Sequence, residues 1–356
     1  MSAQATCRDT AFAGLPACEL ALPQGDRLLV TLHGAHVLSW VSGGQERLYL
    51  SPESILDGQA AIRGGVPVCF PQFNQRGPMA DRLPKHGFAR NVAWLADAPE
   101  LGAEHARLTL RLNNNSQTRA WWPQAFALAL HIDLSPGALQ LTLDVHNTDA
   151  QALAFSGALH TYLAVPDVTQ ATLQGLGGQP EWDSLTDTHA PAADTIRFAA
   201  EFDRVYEAGP QPMTLNDTLH ISQSPSWANT VVWNPAQDLC KRLADMPEDG
   251  WRHMLCVEAA QVYDPITLPV GGRWEGWQRL QAIAGQQQFL QIRPLTQLGR
   301  QSFDAVVGQD QPAQQRRQCC ARHVADAIGL EADHRQPRAF SDTFRYLGEA
   351  VVRAEQ

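Results

Sequence analysis

The sequence predicts an all-β fold, a large antiparallel β-sandwich with a short C-terminal extension. Three observations carry this expectation. Short apolar runs punctuated by Gly, Pro, Asn and Asp recur from about residue 18 to about residue 283. Several of these runs alternate with period two, the mark of a half-buried antiparallel strand. Stretches with helical spacing are few, and charged residues make up only 18% of the chain, below the roughly 25% usual for soluble domains.

Taken in order, the runs are RLLVTLHG, HVLSWVSGG, ERLYLS, ARLTLRLNNN, FALALHIDLSPG, LQLTLDVHNTD, TVVWNP and MLCVEAAQV. In LQLTLDVHN, Leu139, Leu141, Leu143 and Val145 point one way, and Gln140, Thr142, Asp144 and His146 the other. The segment Ser135 to Ala138, SPGA, separates two such runs and reads as a hairpin turn. A short strand is expected over Val66–Phe70, flanked by Pro67 and Pro71. Many short strands with few helices stack as a sandwich of large sheets. Residues 1–283 are therefore read as one β-sandwich domain. Residues 284–356 carry the Gln-rich stretch GQDQPAQQRRQCC and two weak helical patterns. They are read as a partly helical or disordered extension.

Composition excludes several classes of function. The net charge is −10, from 27 basic and 37 acidic residues, which argues against general nucleic-acid binding. An anionic small molecule stays admissible, because a few local arginines decide that. There are seven cysteines, an odd count with no CxxC spacing, so neither a disulfide scaffold nor a cysteine zinc site is expected. The N-terminus lacks the pattern of a signal peptide, and no apolar stretch is long enough to span a membrane. A reducing cytoplasm is the expected location. His33 and His36 would face opposite sides of a strand, with no third ligand nearby in sequence, so no metal is expected.

Residues 58–94 hold the densest set of candidate functional residues: glycines at 64, 65, 77 and 87 among others, with Arg63, Gln72, Lys85, His86 and Arg90. Binding residues concentrate on such loops over rigid β scaffolds, although an edge hairpin with a surface loop has the same composition. Arg63, Lys85 and Arg90 form a candidate anion clamp, since guanidinium pairs with phosphate in bidentate fashion and lysine adds a point charge. Three solvated surface cations is the alternative. His160 lies among Leu159, Tyr162, Leu163 and Val165, where an imidazole suits acid–base work near neutral pH or serves as a hydrogen-bonded structural residue. Glu258, within HMLCVEAAQV, either ends a strand in water or faces a pocket, where desolvation would make it a stronger base. Asp203 could accept hydrogen bonds from sugar hydroxyls, and Arg204 beside it could form an ordinary surface pair. The chain contains no GxGxxG, P-loop, HExxH or GxSxG pattern.

Several stretches together resemble the hexose-6-phosphate mutarotases (glucose-6-phosphate 1-epimerases) of the galactose mutarotase-like superfamily. They are HGAHVLSW, LYLSPES, AIRGGVPVCFPQF, HGFARNVAW, ALHTYLAV, EFDRVY, VVWNP, CVEAAQV and LPVGGRWEGWQRL, in the family's order over about residues 18 to 283. IRGG followed by HGFAR about twenty residues later is the most specific pair. The resemblance implies a galactose mutarotase-like supersandwich with the active site on the concave face of one sheet. It implies Glu258 as general base, His160 as general acid, Arg63 and Arg90 as substrate-binding residues, Asp203 as a substrate contact and His86 in the pocket wall. Lys85 stands where the family usually has Gln, and Ala259 where it often has Pro.

The implied reaction interconverts the α and β anomers of a hexose 6-phosphate by ring opening and reclosure. No metal or organic cofactor is expected, and no nucleic-acid or membrane partner; a monomer is expected. An aldose 1-epimerase for unphosphorylated sugars and a non-catalytic sugar-phosphate-binding protein are the alternatives. A structural β protein with the extension as an interaction segment is a third.

Overall fold

In a computed structural model, residues 3–75 and 82–283 are described. The extension expected over 284–356 lies outside the described residues. The described chain forms three antiparallel sheets of five, ten and eight strands. The first is an N-terminal meander of Thr6–Phe12, Leu15–Ala21, Arg27–Thr31, Val37–Ser42 and Gln45–Glu46. It begins earlier than the apolar runs indicate. Thr6–Phe12 is an edge strand with a mostly exposed, charged pattern, so it carries no apolar face to read. Register explains its pairing instead: Arg8 lies opposite Glu19, an opposite-charge cross-strand pair.

The ten-stranded sheet is centred on Ala106–Asn113, Phe126–Ser135, Ala138–Asn147 and Arg273–Ala282, adjacent in that order. Phe126, Leu128, Leu130, Ile132 and Leu134 alternate along one strand and are buried, as are Leu139, Leu141, Leu143 and Val145 on the next. The SPGA turn joins these two strands with Ser135 opposite Ala138. The loop is two residues long, and Gly137 takes a φ of 68°, a left-handed conformation that glycine adopts without steric cost.

The eight-stranded sheet carries Phe202–Tyr206, Asn229–Asn234, Met254–Leu268 and Leu153–Leu159 as successive neighbours, then Val68–Cys69. Met254–Leu268 is its longest strand, with 15 residues, the first nine of them buried. It is covered on both faces, which is why MLCVEAAQV reads as a nearly continuous apolar run, interrupted only by Glu258 and Gln261. The Val66–Phe70 strand is shorter than expected. Only Val68–Cys69 makes a ladder, while Val66 and Phe70 each form an isolated bridge. Pro67 and Pro71 have no N–H to donate, so the ladder cannot extend through them. His33 and His36 are a second correction. They lie in a turn between two strands, with Ala35 at φ 47°, so strand alternation does not govern them.

One large apolar cluster lies beneath both larger sheets, and a smaller one lies on the other face of the eight-stranded sheet. Around Phe70 the large cluster brings in Phe88, Trp122, Phe126 and Phe155, with ring centroids 5.3–6.4 Å apart. Such aromatic pairs contribute about 0.5–1.5 kcal/mol each beyond the area they bury. From Val257 to Val262 the two clusters split the strands by parity, whereas Met254, Leu255 and Cys256 all belong to the large one. Leu159, Val257, Ala259 and Val232 belong to the large cluster. Ala158, Ala260, Val231 and Val205 belong to the small one. Successive side chains on a strand point to opposite faces, so Glu258 shares the face of Ala260 and Val231.

Candidate active site

Glu258 stands near the middle of that face. Its cross-strand neighbour is Val231, and it is 1% exposed. Its Oε1 lies 3.4 Å from Nε2 of His160. Its Oε2 is buried with no hydrogen-bond partner among the described residues. A buried, unpaired carboxylate oxygen costs on the order of 1–3 kcal/mol or more, a cost that an incoming hydroxyl group would remove.

His160 occupies the break between Leu153–Leu159 and Tyr162–Ala164. Its backbone N–H donates to Pro67 O at 3.1 Å, and Thr161 O accepts from Val257 N at 3.1 Å. The chain therefore crosses beside the Met254–Leu268 strand with the imidazole turned toward Glu258. Neighbouring rings fix its plane. Tyr162 stacks on it at 4.9 Å and 11°, His86 meets it nearly edge-on at 5.3 Å, and Trp233 at 6.3 Å.

His86 has a φ of 66°, unusual for a residue with a Cβ and costing on the order of 1 kcal/mol or more. Two reciprocal bonds with Asn74 hold it. The His86 N–H donates to Asn74 O at 2.8 Å, and the Asn74 N–H donates to His86 Nδ1 at 3.2 Å. Because Nδ1 accepts, the neutral ring carries its proton on Nε2. His86 thus serves as a donor beside His160.

Arg63 is presented by the following Gly-Gly pair. Gly65 has a φ of 59°, and a Cβ there would run into Val37 O. Gly64 O accepts from His36 Nε2 at 2.7 Å. His36 is fully buried, and burial pushes its pKa down to about 3 despite this bond. The Arg63 Nε donates to Asp245 Oδ2 at 3.1 Å, and its Nη1 donates to the Tyr162 hydroxyl at 3.2 Å. Burial opposes the Arg63 charge, but Tyr162 and Asp245 more than offset it. Arg90 Nη2 donates to Lys85 O at 2.7 Å, and its Nε is buried with no partner among the described residues. Lys85 is exposed, so of the three expected clamp residues Arg63 and Arg90 are held by hydrogen bonds and Lys85 faces solvent.

Electrostatics set the pair apart. Burial, then the negative charge of Asp203, raise the Glu258 pKa well above the ordinary carboxylate range, against the pull of Lys85 and Arg90. Burial, then Arg90, Arg63 and Lys85, hold the His160 pKa well below the usual imidazole value. His86 is lowered by burial and then by His160. Asp203 lies half-buried opposite Trp233, and burial raises its pKa against the hydrogen bond from Ser184. Arg204 is turned elsewhere, paired with Glu181 and Asp183. A raised carboxylate is a strong base once ionised, and a lowered imidazolium is a strong acid once protonated. The cluster can therefore move a proton onto one atom of a ligand and off another.

His160, Glu258, His86, Arg63 and Arg90 thus converge, with Asp203 and Lys85 close enough to act on Glu258 electrostatically. Sequence reasoning missed Asp245, the Arg63-binding hydroxyl of Tyr162, and the support His36 gives to the Gly-Gly turn. Nothing in LADMPEDG singles out Asp245. The Tyr162 hydroxyl was hidden in an apolar run. A donor set for a metal also exists: ligand atoms of His160, Cys256 and Glu258 lie within 4.8 Å of one another.

The chain is similar to known proteins in sequence and in fold. The sequence model of the aldose 1-epimerase family matches residues 18–281. A protein of Cenchrus ciliaris named "Putative glucose-6-phosphate 1-epimerase" is 34% identical over 281 residues, covering 75% of this chain and 84% of its own. A protein of the same name from Escherichia coli K12 is 35% identical over 243 residues, covering 64% and 78%. Among solved structures, a Salmonella typhimurium protein described as a "putative mutarotase" superposes with a TM-score of 0.72 at 28% identity, covering 78% of this chain and 93% of that one. Galactose 1-epimerase from Lactobacillus acidophilus shares the fold, with a TM-score of 0.59 at 15% identity, covering 79% and 99%. On the family match, the identity to the Cenchrus ciliaris protein and the shared fold, the chain belongs to the aldose 1-epimerase family of isomerases.

Proposed function

We propose that this protein is a cytoplasmic, monomeric hexose-6-phosphate 1-epimerase whose catalytic pair is Glu258 and His160. The observation that carries the reading is the 3.4 Å approach of His160 Nε2 to Glu258 Oε1 on a buried face, with Arg63, Arg90 and Lys85 acting on the pair. The relatives named for glucose 6-phosphate support the phosphate ester as substrate.

The reaction is a proton relay. Between them, Glu258 and His160 hold one proton, and in the reactive form it sits on His160. Glu258 removes the proton from the anomeric hydroxyl while His160 donates its proton to the ring oxygen. The C1–O5 bond breaks and an open-chain aldehyde forms. After rotation about C1–C2, Glu258 returns a proton to the carbonyl oxygen and His160 recovers one from the O5 hydroxyl as the ring closes on the other face. The site ends as it began. His86 Nε2–H and Asp203 are assigned to sugar oxygens, and Arg90, Lys85 and Arg63 to the phosphate. Each acid–base group contributes about 10²–10⁴-fold.

The test is NMR exchange between α- and β-glucose 6-phosphate, with spontaneous mutarotation as baseline. The wild-type protein should accelerate exchange. Glu258→Gln and His160→Ala should each lose about 10²–10⁴-fold with unchanged far-ultraviolet circular dichroism. Near-normal exchange in both variants would refute the assignment. One observation favours an unphosphorylated aldose instead: Arg63 already has a carboxylate partner in Asp245. Faster turnover of free galactose than of glucose 6-phosphate would select that reading.

A further inference from the structure

We infer that His160, Cys256 and Glu258 form a binding site for a borderline-soft divalent cation, Zn2+ foremost, which shuts the active site when occupied. The argument begins with register. Cys256 and Glu258 are two residues apart on the Met254–Leu268 strand, so their side chains emerge on the same face. His160 approaches that face from the adjoining segment, and all three residues are buried. One ligand atom from each lies within 4.8 Å of the other two.

Tetrahedral zinc, with bonds of about 2.0–2.3 Å, needs its ligand atoms about 3.3–3.7 Å apart. The His160 Nε2 to Glu258 Oε1 separation, 3.4 Å, already meets that requirement. The Cys256 sulfur needs only a side-chain adjustment of the order of 1 Å. Imidazole, thiolate and carboxylate are the three donor types that zinc prefers.

Charge favours the complex. Zinc with one thiolate, one carboxylate and one neutral imidazole sums to zero, the arrangement a low-dielectric pocket tolerates best. The unpartnered Glu258 Oε2 leaves that carboxylate free of competing donors. The cost is two protons: the thiol proton of Cys256 and the one that Glu258 and His160 hold between them. The metal must displace both before all three side chains can ligate it. Affinity should therefore rise about tenfold per pH unit for each proton released. The fourth position is left to water. Neither Glu258 nor His160 could transfer a proton while bound to the ion, so the metal would act as an inhibitor and not as a cofactor. Binding stands on the geometry alone; inhibition also rests on the epimerase reading.

The experiment titrates the reduced full-length protein with Co2+, which reports a thiolate ligand by its charge-transfer absorption, and then displaces it with Zn2+. The chain carries other thiols, so the readout is a difference between variants. Wild type should show a band that glucose 6-phosphate suppresses, and Cys256→Ala should lose that part of it. Zn2+ should slow anomer exchange, a chelator should restore it, and Cys256→Ala should need at least about tenfold more Zn2+, since loss of even an outer-sphere group costs about 10–100-fold in affinity. A band of equal intensity in Cys256→Ala would overturn the site. If that variant fails to fold, Cys256→Ser preserves the packing; a strong thiolate band persisting there would overturn it equally. A Cys256-dependent band with no effect on exchange would uphold the metal site and count against the catalytic reading.

Discussion

At the scale of the residue, the site is governed by which polar groups are left unpaired and which are tied. Arg63 is tied. Its guanidinium spans Asp245 Oδ2 and the Tyr162 hydroxyl, which fix its direction. Asp245 is thus a positioning residue, and Asp245→Asn should raise the KM for glucose 6-phosphate several-fold more than it lowers kcat. The glutamate variant should recover part of the loss, and steady-state exchange kinetics would read both parameters. His36 supplies a test of stability. Its pKa is about 3 in the folded protein against 6.5 for the exposed group. Between those values the unfolded chain binds a proton that the native fold refuses, so the unfolded state gains as pH falls. The stability that His36 provides is complete above about pH 6.5. It should be lost at about 1 kcal/mol per pH unit down to about pH 3. Urea unfolding midpoints across that range should fall more gently in His36→Gln once its own baseline loss is subtracted.

At the scale of the element, the short segments around residues 61–73 and 153–164 do what long strands cannot: they stop early and turn functional side chains out of the ladder. The Gly64–Gly65 turn shows the physics. Gly65 N donates to Tyr49 O, and its own carbonyl accepts from Tyr162 N, which ties the turn that bears Arg63 to the segment that bears His160. Gly65→Ala would combine a left-handed backbone with a Cβ driven into Val37 O. The expected loss is about 2–4 kcal/mol, with a lower thermal midpoint and an exchange rate that falls with it. IRGG and HGFAR were legible as motifs because local chemistry demands glycine there. The Thr6–Phe12 strand was not legible, because an exposed edge strand has no apolar periodicity to display.

At the scale of the whole molecule, a net charge of −10 coexists with three cations, Arg63, Arg90 and Lys85, acting on the buried His160–Glu258 pair. Local placement therefore outweighs the total, since screening confines each charge to about 8–10 Å at physiological ionic strength. Among the described residues no helix is long and apolar enough to cross a membrane. The family match ends at residue 281, and every proposed catalytic residue precedes it. A chain ending at Ile283 should therefore keep the anomer exchange rate of the full protein to within about twofold. A large loss of exchange in a folded truncated protein would assign residues 284–356 a part in catalysis.

The sequence by itself determined the strand periodicity, the Pro136–Gly137 hairpin and the motifs that carry Arg63, His86, Arg90, His160 and Glu258. Each is a local property, written in residues that are neighbours in the chain. Tertiary structure alone decided that Asp245 meets Arg63 across 182 residues, that Tyr162 faces the same guanidinium, and that Cys256 lies beside the His160–Glu258 pair. It also decided how readily Glu258 and His160 hold their protons. Desolvation and charge fields depend on what packs around a group, and those neighbours come from segments whose meeting no local pattern encodes.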